Sequence, residues 1–308
     1  MPTLTLHRKA LIAKYPEFSK LDIKQKPVFD KFSHKHGYYC DFNFANLFSW
    51  NIEDDVCVAT LNNNLILKRQ DYVAGKYFYS ILGNHKIDDS LVKLLSEVKV
   101  LNFVPEIVVD SIKKKEKFEI EPERDNYDYI FNVKELIELR GKKHKNARNR
   151  LNKFKKEFED YDKLSVTTTS VVDLHKFKTF QEVFYTWKDG KGLTEDKVER
   201  EKKALNRLLK NSKDLNLLIV EIKLKNKLVA FSINNIASPG YAVTHFEKAI
   251  KIHKYFTTYV IHECAKMQDK FGIKTVNWED DLGFPGLRQN KSSYRPTEML
   301  SKYQIKLK

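Results

Sequence analysis

Cysteine is rare in this 308-residue chain: Cys40, Cys57 and Cys264 are an odd number, far apart, with no CxxC pair. That argues against a disulfide-built scaffold or a structural zinc site and fits a reducing compartment. The nine histidines are scattered. Only His34 and His36 sit close together, without the spacing or partners of a metal cluster, so no metal is expected. No Ser-His-Asp or Cys-His constellation is evident for covalent catalysis. The first twenty residues hold no apolar block long enough for a secretory leader. No uncharged apolar run approaches the ~20 residues of a membrane span. A cytoplasmic protein is expected, with any membrane contact peripheral and electrostatic. Glycine is sparse as well, at ten residues, while 42% of the chain is hydrophobic and 12% aromatic, enough for a packed core.

Acidic charge is the other shortage. Against 56 Lys and Arg stand 41 Asp and Glu, leaving +15. The excess is concentrated in LRGKKHKNARNRLNKFKKEF, where Arg140, Lys142, Lys143, Lys145, Arg148, Arg150, Lys153, Lys155 and Lys156 occur with no acid between Leu139 and Lys156. Ala147, Leu151, Phe154 and Phe158 recur within it at helical spacing, an apolar seam that a disordered basic tail would lack. The segment reads as a helix docked on a folded body. Its cationic face is either plain solvated surface or a site for a polyanion such as phosphate, RNA or anionic lipid.

Along the first half, Val56–Leu61, Leu65–Arg69 and Tyr77–Leu82 read as antiparallel strands separated by Asn62-Asn63-Asn64 and Gly75. A helix follows over Asp88–Val98 and a short one from Val104-Pro105 through Ile112; Phe118–Glu121 and Tyr127–Phe131 look like strands. In the second half, Leu164–Thr169 is strand-like, and Leu174–Trp187 and Glu195–Leu209 are helical. Leu215–Lys223, Leu228–Ile236 and Tyr241–Lys248 then form a three-strand meander, followed by a helix over Phe256–Phe271 and a strand over Lys274–Trp278. The repeated order suggests two related α+β lobes. The expected domains are 1–140, a basic bridging helix over 141–160, and 161–308.

Chemistry-bearing residues gather near the C-terminus. Alternation along a strand sets His245 and Glu247 on one face and Phe246 and Lys248 on the other. Glu279, Asp280 and Asp281 precede Gly283, then Arg288, Lys291 and Arg295. These form either a salt-bridged loop or a pocket where carboxylates handle a proton or an ammonium while cations hold an anion.

The strings ERDNYDYIF, RGKKHKNARNRLNKF, HFEKA, NWEDDLGFPGLRQNKSSYRP and KYQIK, with DFNFANLFSW near the start, resemble the synthase domain of bacterial phosphatidylglycerol lysyltransferases and its stand-alone relatives. The resemblance spans nearly the whole chain. It implies an α+β fold of two tandem acyl-N-acyltransferase (GNAT-like) lobes, each a mixed sheet flanked by helices. It also implies an acyltransferase or aminoacyltransferase with charged tRNA as donor and a lipid, peptide or small-molecule hydroxyl or amine as acceptor. No cofactor is required by such a reaction. Acyl-CoA is the less expected donor, because Lys248-Ala249-Ile250-Lys251-Ile252-His253-Lys254 has no glycine for a pyrophosphate turn. Trp278 stands where relatives commonly carry a basic residue, a departure that bears on substrate identity.

Carried onto this sequence, the resemblance makes Glu247 and Asp281 candidates for the base or for the carboxylate that grips the aminoacyl ammonium. Lys248 is the third catalytic candidate. Lys248, Arg288 and Lys291 are candidates for holding phosphate or stabilising developing charge, with Glu279 beside them. Tyr294 donates a hydrogen bond or stacks on a base. Lys145, Arg148 and Asn149 contact the tRNA acceptor arm or a lipid headgroup. The expected partners are charged tRNA and an anionic lipid surface, with no DNA. A non-catalytic RNA-binding module and a cell-wall-bridge peptidyltransferase remain the alternatives. The acids at 279–281 speak against a pure polyanion binder, since they weaken its affinity.

Overall fold

The computed structural model describes residues 11–70, 77–189 and 195–308, of which 195–197 are described by backbone alone. The chain forms two compact units. The first comprises the residues up to Gly37, Glu53–Pro122 and Tyr303–Lys308, and the second Tyr38–Ile52 and Glu123–Lys302. In chain order the first elements are β1 (Ala13–Lys14), β2 (Ser19–Lys20) and α1 (Lys26–His36). Helix α2 (Phe44–Trp50) belongs to the second unit, its N-terminus capped by the Asn43 side chain accepting from the Asn46 N–H. Then come β3 (Cys57–Leu61), β4 (Asn64–Gln70), β5 (Tyr77–Leu82), α3 (Ile87–Leu95), β6 (Leu101–Pro105), α4 (Glu106–Asp110) and β7 (Phe118–Pro122).

In the first unit, β1 to β5 form one sheet, and β6, the C-terminal strand Lys302–Leu307 and β7 form another. Asn62 and Asn63, with φ of 48° and 60°, close the β3–β4 hairpin, the left-handed pair that such a two-residue turn demands and asparagine tolerates. Helix α3 buries Ile87, Leu91, Leu94 and Leu95 into a core shared with Ile66, Ile81, Val104 and Ile305.

The second unit holds β8 (Asp128–Asn132), α5 (Val133–Glu138), α6 (Lys145–Glu157), β9 (Leu164–Thr169), α7 (Leu174–Asp189), α8 (Glu195–Lys210), β10 (Leu217–Leu224), β11 (Lys227–Ser238) and β12 (Tyr241–Ala249). It continues with α9 (Phe256–Lys270), β13 (Thr275–Asn277), α10 (Pro285–Ser293) and β14 (Glu298–Leu300). Seven strands make one mixed sheet in the order β14-β8-β13-β12-β11-β10-β9. Strands β9 to β12 are the antiparallel meander. Lys225-Asn226, both left-handed, turn β10 into β11, and Pro239-Gly240 turn β11 into β12. Helix α9 then carries the chain to β13, which joins β12 in parallel over Tyr241–Val243 and Thr275–Asn277. Beyond that register the two strands share no further pair, although β12 runs on to Ala249. An antiparallel meander, a crossover helix and a parallel strand that parts from its neighbour make an acyl-N-acyltransferase-like lobe.

The unit boundaries differ from those expected from the sequence. Strand β8 pairs with both β13 and β14, so the chain enters the second unit at Glu123 rather than near residue 140. The basic helix α6 is also part of that unit rather than a bridge. Its seam of Ala147, Leu151 and Phe154 is buried in the core that holds α9. The Phe154 ring lies 4.9 Å from Tyr259 and 5.8 Å from Phe256. Burying one such phenylalanine is worth about 1.5–3 kcal/mol, which fixes the helix while its lysines face outward. The helix α10 falls where the sequence suggests only a loop. Its apolar content is too low to show a seam, and Pro285 at its first turn is the start signal.

Candidate functional site

Helices α6 and α10 flank a groove of about 660 Å³ lined by Lys143, Asn149, Arg150 and Lys153 on one side and Gln289, Asn290 and Arg295 on the other. Tyr255, just before α9, lines it too. Lys143 is tied to Glu135 at 2.7 Å, while the Arg150 Nε is buried without a partner among the described residues. Of the three helix residues singled out in the sequence, Asn149 lines the groove and Lys145 is exposed. Arg148 is turned to the backbone, donating to the carbonyls of Leu139 and Gly141 beyond the end of α5.

Arg150 lies over the ring of Tyr294, 5.8 Å from its centroid. Tyr294 is buried, its hydroxyl 3.3 Å from Thr258 Oγ1 on α9, and burial lifts its pKa. The charges of both Arg150 and Glu247 act on this phenol, the first lowering and the second raising its pKa. Glu247 accepts no hydrogen bond among the described residues. Loss of water pushes its carboxyl up to about 7, against the pull of Lys248. A carboxyl poised near neutrality and unsatisfied by its own chain suits proton transfer or the capture of an ammonium.

The expected alternation along β12 is broken. The register slips between Ile233 and Asn234, so Thr244 pairs with Asn234 and Phe246 with Ile233, leaving His245 as the extra residue of a bulge. Glu247 pairs with Ser232, which bonds Cys264 on α9. Phe246 stacks on Trp50 of α2 at 6.1 Å, and His245 reaches Glu279, which also holds Asn46 of α2. The bulge therefore sets His245 with Phe246 and Lys248, and Glu247 alone on the α9 face. Lys248 is buried, 2.6 Å from Glu201 on α8 and 3.7 Å from the Trp187 ring centroid on α7.

The 278–288 loop is the salt-bridged arrangement that the sequence allows. Asp281 is fully buried and takes two bonds from Arg288 at 2.7 and 2.9 Å, one from the Tyr129 hydroxyl at 2.5 Å and one from the Gly283 N–H at 2.9 Å. Burial opposes its charge, but Arg288, Tyr129 and the Gly283 amide hold it below the usual carboxylate range. Gly283 is required on two counts: its φ is +72°, and a Cβ there would sit 2.8 Å from Asp125 Oδ2. Arg288 also bonds Asp125 at 2.5 Å. Lys291 is buried and donates to the carbonyls of Trp278 and Asp280, and burial lowers its pKa. Trp278 packs on Phe131 at 4.0 Å and Tyr294 at 5.5 Å. Arg288 and Lys291 thus brace the loop, and the partners of Asp281 and Lys248 are disjoint.

A second buried cluster escaped the sequence reading. Lys302 is wholly buried, bonded to Asp41, 2.6 Å from Asp128, 3.9 Å from Asp280 and 3.2 Å from the Cys40 sulfur. Cys40 Sγ and one oxygen from each of the three aspartates lie within 4.8 Å of one another, the spacing of a metal-ligand set. The ammonium of Lys302 takes the cation's place among them. Burial alone would discharge it, but Asp128 and Asp41 hold its pKa well above the ordinary range. Burial, reinforced by Asp41 and Asp128, pushes Asp280 up to about 7 despite Lys302, and burial raises the Cys40 thiol. Asn277 Nδ2 completes the cluster, 2.8 Å from Asp128 and 3.1 Å from the Tyr38 carbonyl. Asp41, Asp128 and Lys302 lie within the DFNFANLFSW, ERDNYDYIF and KYQIK strings, but only the fold brings them together.

The model of the family "Phosphatidylglycerol lysyltransferase, C-terminal" matches residues 34–306. A conserved protein of unknown function from Bacteroides thetaiotaomicron superposes with a TM-score of 0.79, at 24% identity, over 94% of this chain and 99% of that one. The structure of L-PGS from Bacillus licheniformis superposes at 0.62 with 12% identity, over 97% of this chain and 94% of that one. Among curated sequences, the uncharacterized protein MYCGA3080 of Mycoplasmoides gallisepticum is 22% identical over 242 residues, 75% of this chain and 74% of the relative. Among the described residues no helix is long and apolar enough to cross a membrane.

Proposed function

The chain belongs to the phosphatidylglycerol lysyltransferase C-terminal family, a family of acyl and aminoacyl transferases, and from that premise we propose that it moves an aminoacyl group from charged tRNA to a hydroxyl or amine acceptor. The second unit does the work. The cations of the α6–α10 groove, Arg150, Lys153 and Arg295, take the phosphates of the single-stranded acceptor end, and Tyr255 offers a face for its terminal base. The aminoacyl ester is already activated, so the protein's task is to position it and manage one proton. Glu247 holds the ammonium of the aminoacyl group. Arg288 and Asp281 shape the loop beside it, and Lys248 fixes the far face of β12.

One observation carries this reading. Glu247 is a carboxyl pushed up to about 7 by loss of water, with no hydrogen bond among the described residues, and its charge acts on Tyr294, which Arg150 covers. An ammonium arriving there gains a charge-assisted bond that water cannot rival in a desolvated site. A binding module would have no use for an uncompensated acid behind its cationic face. The net +15 of the chain also favours approach to anionic lipid, so lipid is among the acceptors to be tried.

The test is to incubate the purified protein with pooled tRNAs carrying labelled amino acids, together with a lipid and small-amine extract, and in parallel with labelled acyl-CoA. Label should leave the tRNA and appear in an extractable product, and Glu247→Gln should raise KM for charged tRNA at least tenfold. Label entering product from acyl-CoA alone, with the charged tRNAs intact, overturns the donor assignment. Tight tRNA binding without any product returns the chain to the RNA-binding reading.

A further inference from the structure

The transfer needs a proton acceptor on the attacking group, and Glu247, once bound to an ammonium, cannot be it. His245 meets the requirement. Its side chain is wholly buried at the bulge in β12, and its Nδ1 lies 2.7 Å from Glu279 Oε1. The same oxygen accepts from Asn46 Nδ2 at 2.7 Å, which fixes the carboxylate. A carboxylate only accepts, so in the neutral imidazole the shared proton sits on Nδ1 and the lone pair on Nε2. That Nε2 is buried and has no partner among the described residues. An orphaned buried polar atom is destabilising, and an apolar residue at this position would avoid it.

The position is as informative as the pairing. Strands β12 and β13 part after Val243 and Asn277, and His245 and Glu279 are each two residues beyond that last pair. Glu279 holds a left-handed backbone, φ 59°, with its N–H donating to Asn277 Oδ1 at 2.6 Å. The imidazole and its carboxylate thus bridge the place where the sheet opens. Glu247 lies two residues further along the same strand, on the opposite face. His245 Nε2 and the Glu247 carboxyl therefore sit on opposite faces of β12, within two residues of each other, just past the point where the sheet opens.

Resting on the aminoacyl-transfer reading, we infer that His245 is the general base of the reaction, oriented by Glu279. Nε2 takes the proton of the acceptor O–H or N–H as that atom bonds to the ester carbonyl carbon. The tetrahedral intermediate then collapses and the ester C–O bond breaks. The departing ribose oxygen of the tRNA receives the proton back from Nε2. One bond forms, one breaks, the proton is conserved and nothing is oxidised or reduced.

The experiment measures steady-state transfer by the full chain with the charged tRNA and acceptor that support the parent, for His245→Asn, His245→Gln and Glu279→Gln. Asn still donates to Glu279 but offers no basic nitrogen, so kcat should fall about 10²–10⁴-fold with KM for charged tRNA within about twofold. Glu279→Gln should give a smaller fall in kcat. Added imidazoles should restore part of the His245→Asn rate, more for the more basic ones. An active parent with His245→Asn within threefold of its kcat overturns His245 as base and leaves the transferase reading intact. So does loss of activity that tracks loss of folded protein in both histidine variants, with no return on adding imidazole. A parent that transfers from no charged tRNA overturns both.

Discussion

Replacing Glu247 by glutamine should stabilise the second unit, and only above mildly acidic pH. The carboxyl is raised from its ordinary 4.5 to about 7 chiefly by loss of water. The fold therefore favours the neutral acid, and ionising it is a cost that the unfolded chain does not share. This penalty is absent below the unfolded pKa, grows as pH rises from about 4.5 to 7, and is constant above. At 1.36 kcal/mol per tenfold, the displacement amounts to about 3 kcal/mol at pH 8. Partial solvation of the site reduces it to about 2 kcal/mol. Glutamine keeps the shape and never ionises. All three tryptophans, Trp50, Trp187 and Trp278, lie in the second unit, so urea unfolding followed by their fluorescence reports that unit alone. Curves at pH 4 should superimpose for parent and Glu247→Gln, and at pH 8 the variant should be more stable by about 2 kcal/mol. An offset of equal size at both pH values would show that the glutamine acts through packing, and no offset at pH 8 would show that the carboxyl is well hydrated. The same substitution is expected to impair transfer, the exchange of activity for stability that a strained functional group implies.

Three further outcomes follow from the geometry. Lys302→Met should leave Asp41, Asp128 and Asp280 without their cation and cost about 3–5 kcal/mol; a melting temperature within 2 °C of the parent would show that the cluster discharges itself. Asp281→Ala leaves the Tyr129 hydroxyl and the Gly283 N–H without their acceptor, while Arg288 keeps Asp125, and should cost about 1–3 kcal/mol; a variant that melts like the parent yet fails to transfer would make Asp281 catalytic instead of an anchor. The pair Arg150→Gln and Lys153→Gln removes two groove cations, so the slope of log K against log salt for single-stranded RNA should flatten by about 1.4; an unchanged slope would take α6 out of nucleic-acid binding.

How much of this was legible beforehand depends on the range of the interactions involved. Helix α6 was readable because its seam and its charge both lie within one stretch, and the hairpins because Asn62-Asn63 and Pro239-Gly240 carry their own turn chemistry. The loop at 279–288 was readable as either brace or pocket; in the structure Arg288 pairs with Asp281 and Lys291 holds the Trp278 and Asp280 carbonyls, while Glu279 turns to His245. The cluster around Lys302 was invisible because its members come from four segments far apart in the chain, residues 40–41, 128, 277–280 and 302, which only the fold brings together. His245 was misread for a subtler reason. Alternation is a property of a regular strand, and one inserted residue opposite Ile233 and Asn234 reverses it for everything downstream. That single slip separates His245 from Glu247 and sets the imidazole and the carboxyl on opposite faces of β12. A variant of β12 with residue 245 deleted would restore regular pairing, return both faces to alternation and remove the imidazole from Glu279. If it folded and still transferred, the bulge would be an accident of the sheet and not the device that sets an acid and a base on opposite sides of one strand.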